Sequence, residues 1–530
     1  SVGHSERTDA VVEPYLSKQW VVKMESMAKP AIDVVKDGKV NIYPKRWEKT
    51  YFHWMDNIKD WCISRQLWWG HRIPVWYRED EVYCGLNKPN GEGWVQDSDV
   101  LDTWFSSWLW PFATLGWPKH TEDMKKFFPT QDLVTGPDII FFWVARMIMA
   151  SLYFCKDIPF SNVYFTGIIR DSEGNKMSKS LGNSPDPLDL FEKYGADAVR
   201  ASVLLIAPQG LDILFSEERL EQGRNFMNKL WNSARFILMN IDKPFQDDNL
   251  NNKNLDTIDR WILSKLNGTI KEVDNAYDQY KLNEAIKKVF DFTRSDFCDW
   301  YIEFTKVRFY GNDMEQRNIA QIVSVHVMRK ILKLLHPYCP FITEELWGSF
   351  KSDSENLLIS SSWPAIDKLI INKDIEFEVQ MLMDIISAIR NIRSSLNIPP
   401  GKEANLFIRG DEKKCKIINS NMNYLLHMAK LGEVQSGKEI SKPAQSATAI
   451  VEGLELFIPL YGLIDLNKEI SRLEKQILDL EGRLKSVLSK LENKNFVERA
   501  PKDIIDHEKN KMKKYQSDLD KLKQNIKSLQ

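Results

Sequence analysis

The chain lacks the marks of several protein classes. None of its six cysteines (Cys62, Cys84, Cys155, Cys298, Cys339 and Cys415) forms a Cys-x-x-Cys pair. Thiols scattered in this way read as reduced side chains of a cytoplasmic protein, without a disulfide framework or a four-cysteine zinc site. Net charge is almost absent: 72 Lys and Arg against 74 Asp and Glu leave −2. A uniformly basic protein is excluded, so any nucleic-acid contact must come from local patches. The longest apolar run, 139–154, is broken by Arg146 and is short for a bilayer span, so no membrane association is expected. The opening Ser-Val-Gly-His-Ser-Glu-Arg is polar, without a signal peptide or an initiator Met. An incomplete chain is therefore expected.

What is present changes character along the 530 residues, a length that argues for ~3 to 4 domains. Residues 1–44 alternate β-like runs (Ala10-Val11-Val12, Trp20-Val21-Val22) with turns at Lys29-Pro30 and Asp37-Gly38, and read as a small β segment. Residues 45–187 begin with a helical pattern over 47–60 and a Pro- and Gly-marked loop and hairpin over 70–94. Strand candidates Asp132-Leu133-Val134 and Asn162-Val163-Tyr164-Phe165 then flank the helix-like 139–154. That order predicts a βαβ unit with a right-handed crossover in a parallel sheet. Residues 188–365 carry successive amphipathic helical patterns, and 366–463 are mixed α/β with strands expected at 404–408 and 454–458.

In 464–530, Ile470, Leu473, Ile477, Leu480, Leu484, Val487 and Leu491 alternate spacings of 3 and 4. After a break over 493–502 containing Pro501, the pattern resumes through Ile505, Met512, Tyr515, Leu519, Leu522, Ile526 and Leu529, with only Glu508 out of step. Two such helices predict an antiparallel coiled-coil hairpin. The fold class expected is multidomain, α/β plus all-α.

Two short motifs carry chemistry. Lys176-Met177-Ser178-Lys179-Ser180 lies between the turn Asp171-Ser172-Glu173-Gly174-Asn175 and Leu181-Gly182-Asn183. A loop with two ammonium groups and two hydroxyls suits a triphosphate attacked at its α-phosphate, whose departing pyrophosphate needs its charge stabilised. As a bare pentamer it is equally a solvated polar loop. Gly136-Pro137-Asp138 falls between strand and helix. Glycine there allows close backbone approach, proline suits a first helical turn, and free N–H groups gather at the sheet's carboxyl edge, with Asp138 placed to accept from ribose hydroxyls. Alone, that tripeptide is equally a helix cap.

The pentamer, with Phe165-Thr166-Gly167 and Leu181-Gly182-Asn183 around it, resembles the second signature of the class I aminoacyl-tRNA ligases. The resemblance covers essentially the whole chain and points to the valine branch. It is carried by Trp61-Cys62-Ile63-Ser64-Arg65-Gln66-Leu67-Trp68-Trp69-Gly70-His71, Asp99-Val100-Leu101-Asp102-Thr103-Trp104-Phe105 and Asp138-Ile139-Ile140-Phe141-Phe142-Trp143. It implies that 1–44 is the trailing edge and hinge of an editing insertion, and that 45–187 is the distal half of a Rossmann-type catalytic domain with the signature loop. It further implies a helical-bundle anticodon-binding domain at 188–365, a small α/β junction domain at 366–463 and a coiled-coil tRNA-binding arm at 464–530.

By the same resemblance, Lys176, Ser178, Lys179 and Ser180 are expected to be catalytic, and Gly136, Asp138, Lys176, Met177 and Lys179 to bind ATP. Trp104, Ile139 and Trp143 are expected to wall the valine pocket; a spacing of four puts the last two on one helix face. Arg224, Asn228, Lys229, Arg235 and Phe236 are expected to face tRNA, with cations for phosphates and a ring for an unstacked base. Over 466–530, 16 Lys and Arg against 11 Asp and Glu give +5, which suits backbone contact with tRNA or a merely solvated coiled-coil surface.

The chain departs from the family in two places. No His-x-Gly-His occurs, so the first class I signature is missing. Between Tyr77 and Trp94, where many relatives carry zinc-binding cysteine pairs, this chain has only Cys84, so no zinc is expected. Known for this family, a hydrophobic valine pocket rejects threonine by only ~10²-fold, which is why a separate editing site exists. The expectation is thus an ATP-dependent ligase joining valine to tRNA(Val) through valyl-adenylate, with Mg²⁺ accompanying ATP, as a cytoplasmic monomer. The rivals are the isoleucine or leucine reaction, a non-catalytic tRNA-binding fragment, and a coiled-coil scaffold that would explain only the last 65 residues.

Overall fold

The computed structural model describes residues 2–5, 8–178, 182–242, 250, 254–352, 354–368, 370–493 and 501–529. Two compact units result. The first comprises Ser1–Gly195, Val199–Glu221 and Asn275–Ala285; the second comprises Ala196–Ala198, Gln222–Asp274 and Ile286–Gln530.

The first unit is built on a three-stranded parallel sheet. Its strands are β1 (Asn41–Tyr43), β2 (Thr130–Thr135) and β3 (Phe160–Phe165), with β3 central: Val163 pairs with Ile42 on one side and Leu133 on the other. Ile42, Val163 and Phe165 face a core shared with Ala28, Ala31, Val144 and Ile148. The crossover from β2 to β3 is helical, as the sequence pattern predicts, but wound three ways. Pro137–Ile139 is a 3₁₀ turn, Ile140–Ala145 a π-helical stretch and Arg146–Phe154 an α-helix. The 18 residues Pro137–Phe154 have the length and composition of a membrane span, yet half of them are buried inside this unit.

The reading of 1–44 as a β segment needs correction. Only Val21–Val22 and Asn41–Tyr43 are strands there, and Glu25–Lys36 is a helix with Pro30 inside it rather than at a turn. An interior proline costs about 3 kcal/mol. Pro30 lies on the exposed side, where the carbonyl it leaves unpaired meets water, while Ala28, Ala31, Val34 and Val35 are buried opposite. Burying two valines at roughly 1.5–3 kcal/mol each offsets the loss. The turn at Asp37-Gly38 is present, with Gly38 at φ +70°.

The second unit opens with long helices, most of Glu217–Met239 and of Thr257–Asp278 and all of Met314–Leu335 among them. In its core Arg308 donates to both carboxylate oxygens of Asp259 at 2.6 Å, and the Tyr301 hydroxyl donates to Asp259 at 2.8 Å. Beyond them a four-stranded sheet runs in the order Leu431–Gly437, Ala404–Arg409, Leu454–Pro459, Ser446–Val451. The sequence pattern pointed to only the two middle strands. The chain closes with helices Leu466–Glu492 and Lys502–Leu529, whose antiparallel pairing brings Lys490 to Glu508 and Lys523 to Glu481. Leu473, Leu484, Val487 and Leu519 are buried in this hairpin.

Candidate functional site

Parallel strands gather their carboxyl ends at one edge, where a ligand can meet free backbone groups. β2 runs there into Gly136 and Asp138, and β3 into Thr166 and Gly167, the Thr166 amide donating to the Thr135 carbonyl at 3.0 Å. Gly167 has no freedom to be anything else: a Cβ on it would meet the Leu211 carbonyl oxygen at 1.7 Å. That close approach brings in the strand Ile213–Leu214, parallel to Ile169–Arg170. Arg170 pairs with Asp212, and this bond holds the Asp212 carboxyl below its ordinary range.

The loop after Arg170 is stapled by two residues not singled out from the sequence. Asp171 accepts from the Asn183 side chain at 2.9 Å and from the amides of Asn175 at 2.8 Å and Glu173 at 3.0 Å. Those bonds, Asn183 foremost, hold its carboxyl below the usual range. Asn183 in turn accepts from the Ser178 amide at 2.9 Å and donates to the Lys176 carbonyl at 3.3 Å. An Asp and an Asn twelve residues apart around a Gly-containing turn are the only sequence signal of this clasp. Lys176 is exposed, and its Nζ reaches 3.9 Å from Asp138 Oδ2. The two motifs, 38 positions apart, thus share one place. Met177 and Ser178 are half-buried beside them; Lys179 and Ser180 lie outside the described residues.

Trp104, Ile139 and Trp143 are all half-buried. Trp104 follows the N-cap Asp102 of the short helix Thr103–Ser107 and stacks on Phe142 at 6.1 Å between ring centres. The Trp143 indole N–H donates to the Ser107 carbonyl, at the far end of that helix, at 3.0 Å. These contacts tie Trp104 and Trp143 to the same short helix and the same crossover, while Ile139 lies at the end of the 3₁₀ turn that opens that crossover. Cys84 is exposed on the hairpin strand Glu81–Cys84, and among the described residues no group of three His, Cys, Asp or Glu is disposed to hold a metal ion.

The second unit holds the expected tRNA-facing helix. Asn228 and Arg235 are exposed and Arg224 is half-buried. Lys229 forms an ion pair with Asp299. The Phe236 ring is already engaged, packed against Phe309 at 5.9 Å with the Lys306 ammonium 5.5 Å from its centre. Trp231, exposed and spaced three from Asn228 and four from Arg235, shares their face. That spacing was available in the sequence and was missed.

The parallel sheet with its carboxyl-edge site and, later in the chain, the helical unit correspond to a class I synthetase catalytic-domain fragment and an anticodon domain. A family profile described as tRNA synthetases class I (I, L, M and V) matches residues 5–90 and 85–216, and one for the anticodon-binding domain of tRNA ligase matches 259–408. Among solved structures, the methionyl-tRNA synthetase of Mycobacterium tuberculosis in complex with methionyl-adenylate shares the fold, with a TM-score of 0.52 at 20% identity over 65% of each chain.

A profile for the valyl tRNA synthetase tRNA binding arm matches 465–530. The valine–tRNA ligase of Clostridium tetani is 45% identical over all of this chain and 61% of its own length. That of Bacillus subtilis is 44% identical over 97% of this chain and 59% of its own. The chain belongs to the valine–tRNA ligase family and spans about three fifths of the length of these relatives.

Proposed function

We propose that the complete protein joins valine to tRNA(Val) in two steps, valyl-adenylate formation and acyl transfer to the terminal ribose. The observation that carries this reading is the meeting of Lys176 with Asp138 at the sheet's carboxyl edge, 3.9 Å apart. In it Gly136 and Asp138 take the ribose of ATP, and Lys176, Met177 and Lys179 lie along its phosphates. Ser178 and Ser180 supply hydroxyls, and Mg²⁺ enters as the nucleotide's counter-ion. The chain's own contribution is positioning and charge: ammonium groups beside the departing pyrophosphate and no side-chain nucleophile. Trp104, Ile139 and Trp143 exclude water and larger side chains.

The domain reading goes with it: editing hinge 1–44, distal Rossmann half 45–187, anticodon bundle 188–365, junction domain 366–463 and coiled-coil arm 464–530. Arg224, Asn228, Lys229, Arg235 and Phe236 belong to the tRNA face, with Asn228 and Arg235 its exposed members. The protein acts as a cytoplasmic monomer without zinc.

Valine-dependent ATP–pyrophosphate exchange by the complete gene product tests the reading; exchange that isoleucine or leucine supports better than valine would overturn it. A second reading, a tRNA-binding fragment inactive in adenylation, rests on the absence of His-x-Gly-His from the 530 residues. The same assay on this chain alone, alongside tRNA(Val) binding, separates the two.

A further inference from the structure

Arg146 is the one charged residue in the apolar run 139–154, and only 5% of it is exposed. An aliphatic residue would fill that place in a helix core without losing the hydration of a charge. Arg146 sits there with its guanidinium carbon 3.6 Å from the centre of the Trp61 ring and 5.5 and 5.7 Å from the Phe141 and Phe142 rings. Burial pulls its pKa down to about 10, against the opposing pull of Asp102. Its Nε is buried without a hydrogen-bond partner among the described residues.

Trp61 links Arg146 to a second buried charge. Its indole N–H donates to Asp102 Oδ2 at 3.0 Å, and Arg65 donates to the same oxygen at 2.5 Å. Asp102 Oδ1 accepts from the Trp104 amide at 3.0 Å, capping the helix Thr103–Ser107. The far end of that helix receives the Trp143 indole, and Trp104 stacks on Phe142. Phe142 and Trp143 lie in the π-helical stretch that runs into Arg146. The contacts therefore close into a ring: Arg146, Trp61, Asp102, the capped helix, its two tryptophan contacts, and back through the π-helical stretch. Such stretches are frequent at functional sites.

We propose that Asp102 and Arg146, joined through Trp61, are positioning residues that fix Trp104 and Trp143 and thereby set the selection of valine over its analogue larger by one methylene. The inference rests on the valine reading above. Neither charge touches the amino acid; each acts through the wall it holds.

The test measures kcat/KM for valine and for isoleucine in pyrophosphate exchange by the complete gene product carrying Asp102→Asn, Arg146→Met or Arg146→Lys. A methylene is worth 10- to 200-fold in such pockets, so the valine-to-isoleucine ratio falls about tenfold in Asp102→Asn and Arg146→Met. Arg146→Lys keeps the charge and recovers part of that ratio. Trp61→Phe keeps a ring beneath Arg146 and both charges, and removes the N–H with part of the indole's bulk; it serves where the charge variants fail to fold, and shifts the ratio in the same direction. Folded variants whose two kcat/KM values drop together at constant ratio, or a Trp61→Phe ratio equal to wild type where only that variant folds, overturn the proposal. If the wild type prefers another amino acid, the valine reading fails instead, and the positioning role is read on the ratio between that amino acid and its nearest homologue.

Discussion

Asp102 in the first unit and Glu508 in the second are both 6% exposed, and they are held very differently. Asp102 has both oxygens engaged by three donors, a backbone amide, an indole and a guanidinium. Glu508 is bonded to Lys511, one turn away at 2.9 Å, with Lys490 of the facing helix at 3.9 Å and its Oε2 without a hydrogen bond among the described residues. A buried carboxylate with both oxygens hydrogen-bonded fixes its surroundings, whereas a half-satisfied one in an apolar seam weakens them. Asp102 is thus fixed through specific bonds. The arm buries an apolar seam and carries its charge outward.

The contrast is broken most strongly on the catalytic side. If the signature loop acts through charge in the transition state, Lys179→Ala lowers kcat for pyrophosphate exchange by ~10²-fold or more with little change in the KM for valine. A kcat within threefold of wild type removes Lys179 from the pyrophosphate. No comparable loss is expected from any single lysine of the arm, because phosphate contacts there add up rather than depend on one another.

Deleting 466–530 comes next in size. Each phosphate neutralised contributes up to ~0.9 to the log–log salt slope, so losing several contacts raises the KM for tRNA(Val) and flattens that slope. Exchange, which needs no tRNA, changes far less. The returning helix Lys502–Leu529 also packs on the strand Ser446–Val451, so the truncation exposes part of the small sheet and lowers the melting temperature. Unchanged tRNA affinity and salt slope would show that the lysines are only a solvated face.

What could be read ahead of the structure depended on the kind of signal. The signature pentamer and the heptads were legible because one is a fixed string and the other a strict period, and both survive without tertiary context. The helix Glu25–Lys36 was not, because Pro30 dominates any local reading and the buried face that outweighs it appears only once the sheet is in place. The strand Leu431–Gly437 was hidden for a similar reason: it reads Leu-Gly-Glu-Val-Gln-Ser-Gly, with two glycines and only two apolar residues, and is held by its parallel pairing with Ala404–Arg409. The clasp of Asp171 on Asn183 and the ring through Arg146 are side-chain geometry, which no spacing rule reports. The partners of Lys229 and Phe236 within the bundle, Asp299 and Phe309, lie about 70 positions away along the chain and were equally beyond any spacing rule.

A smaller effect is expected at the pocket wall itself. Ile139 is half-buried at the end of the 3₁₀ turn. Shortening it by Ile139→Ala makes room for about a methylene or more, a change worth ~1 to 3 kcal/mol in hydrophobic pockets. The kcat/KM ratio of isoleucine to valine should rise about tenfold. An unchanged ratio would place Ile139 outside the wall and leave selection to the two tryptophans.

The smallest effect lies at the arm's buried carboxylate. Hydrogen bonding to Lys511, with Lys490 nearby, holds the Glu508 pKa below its ordinary value. A carboxyl whose pKa is lower folded than unfolded stabilises the fold while ionised, and that contribution fades as pH falls below the unfolded value of ~4.3. Both lysine partners are themselves largely in water, so the contribution is modest. Glu508→Leu gives up those contacts and extends the apolar seam of Leu473, Leu484, Val487 and Leu519. The net result should be slower hydrogen–deuterium exchange in Leu466–Glu492 and Lys502–Leu529, and loss of the arm's acid sensitivity between about pH 5 and 3. Faster exchange in the variant would mean that Glu508 holds the register of the two helices, as a buried polar residue does in some coiled coils. The arm would then resemble the first unit in depending on a placed charge, and the contrast between the two carboxylates would fail.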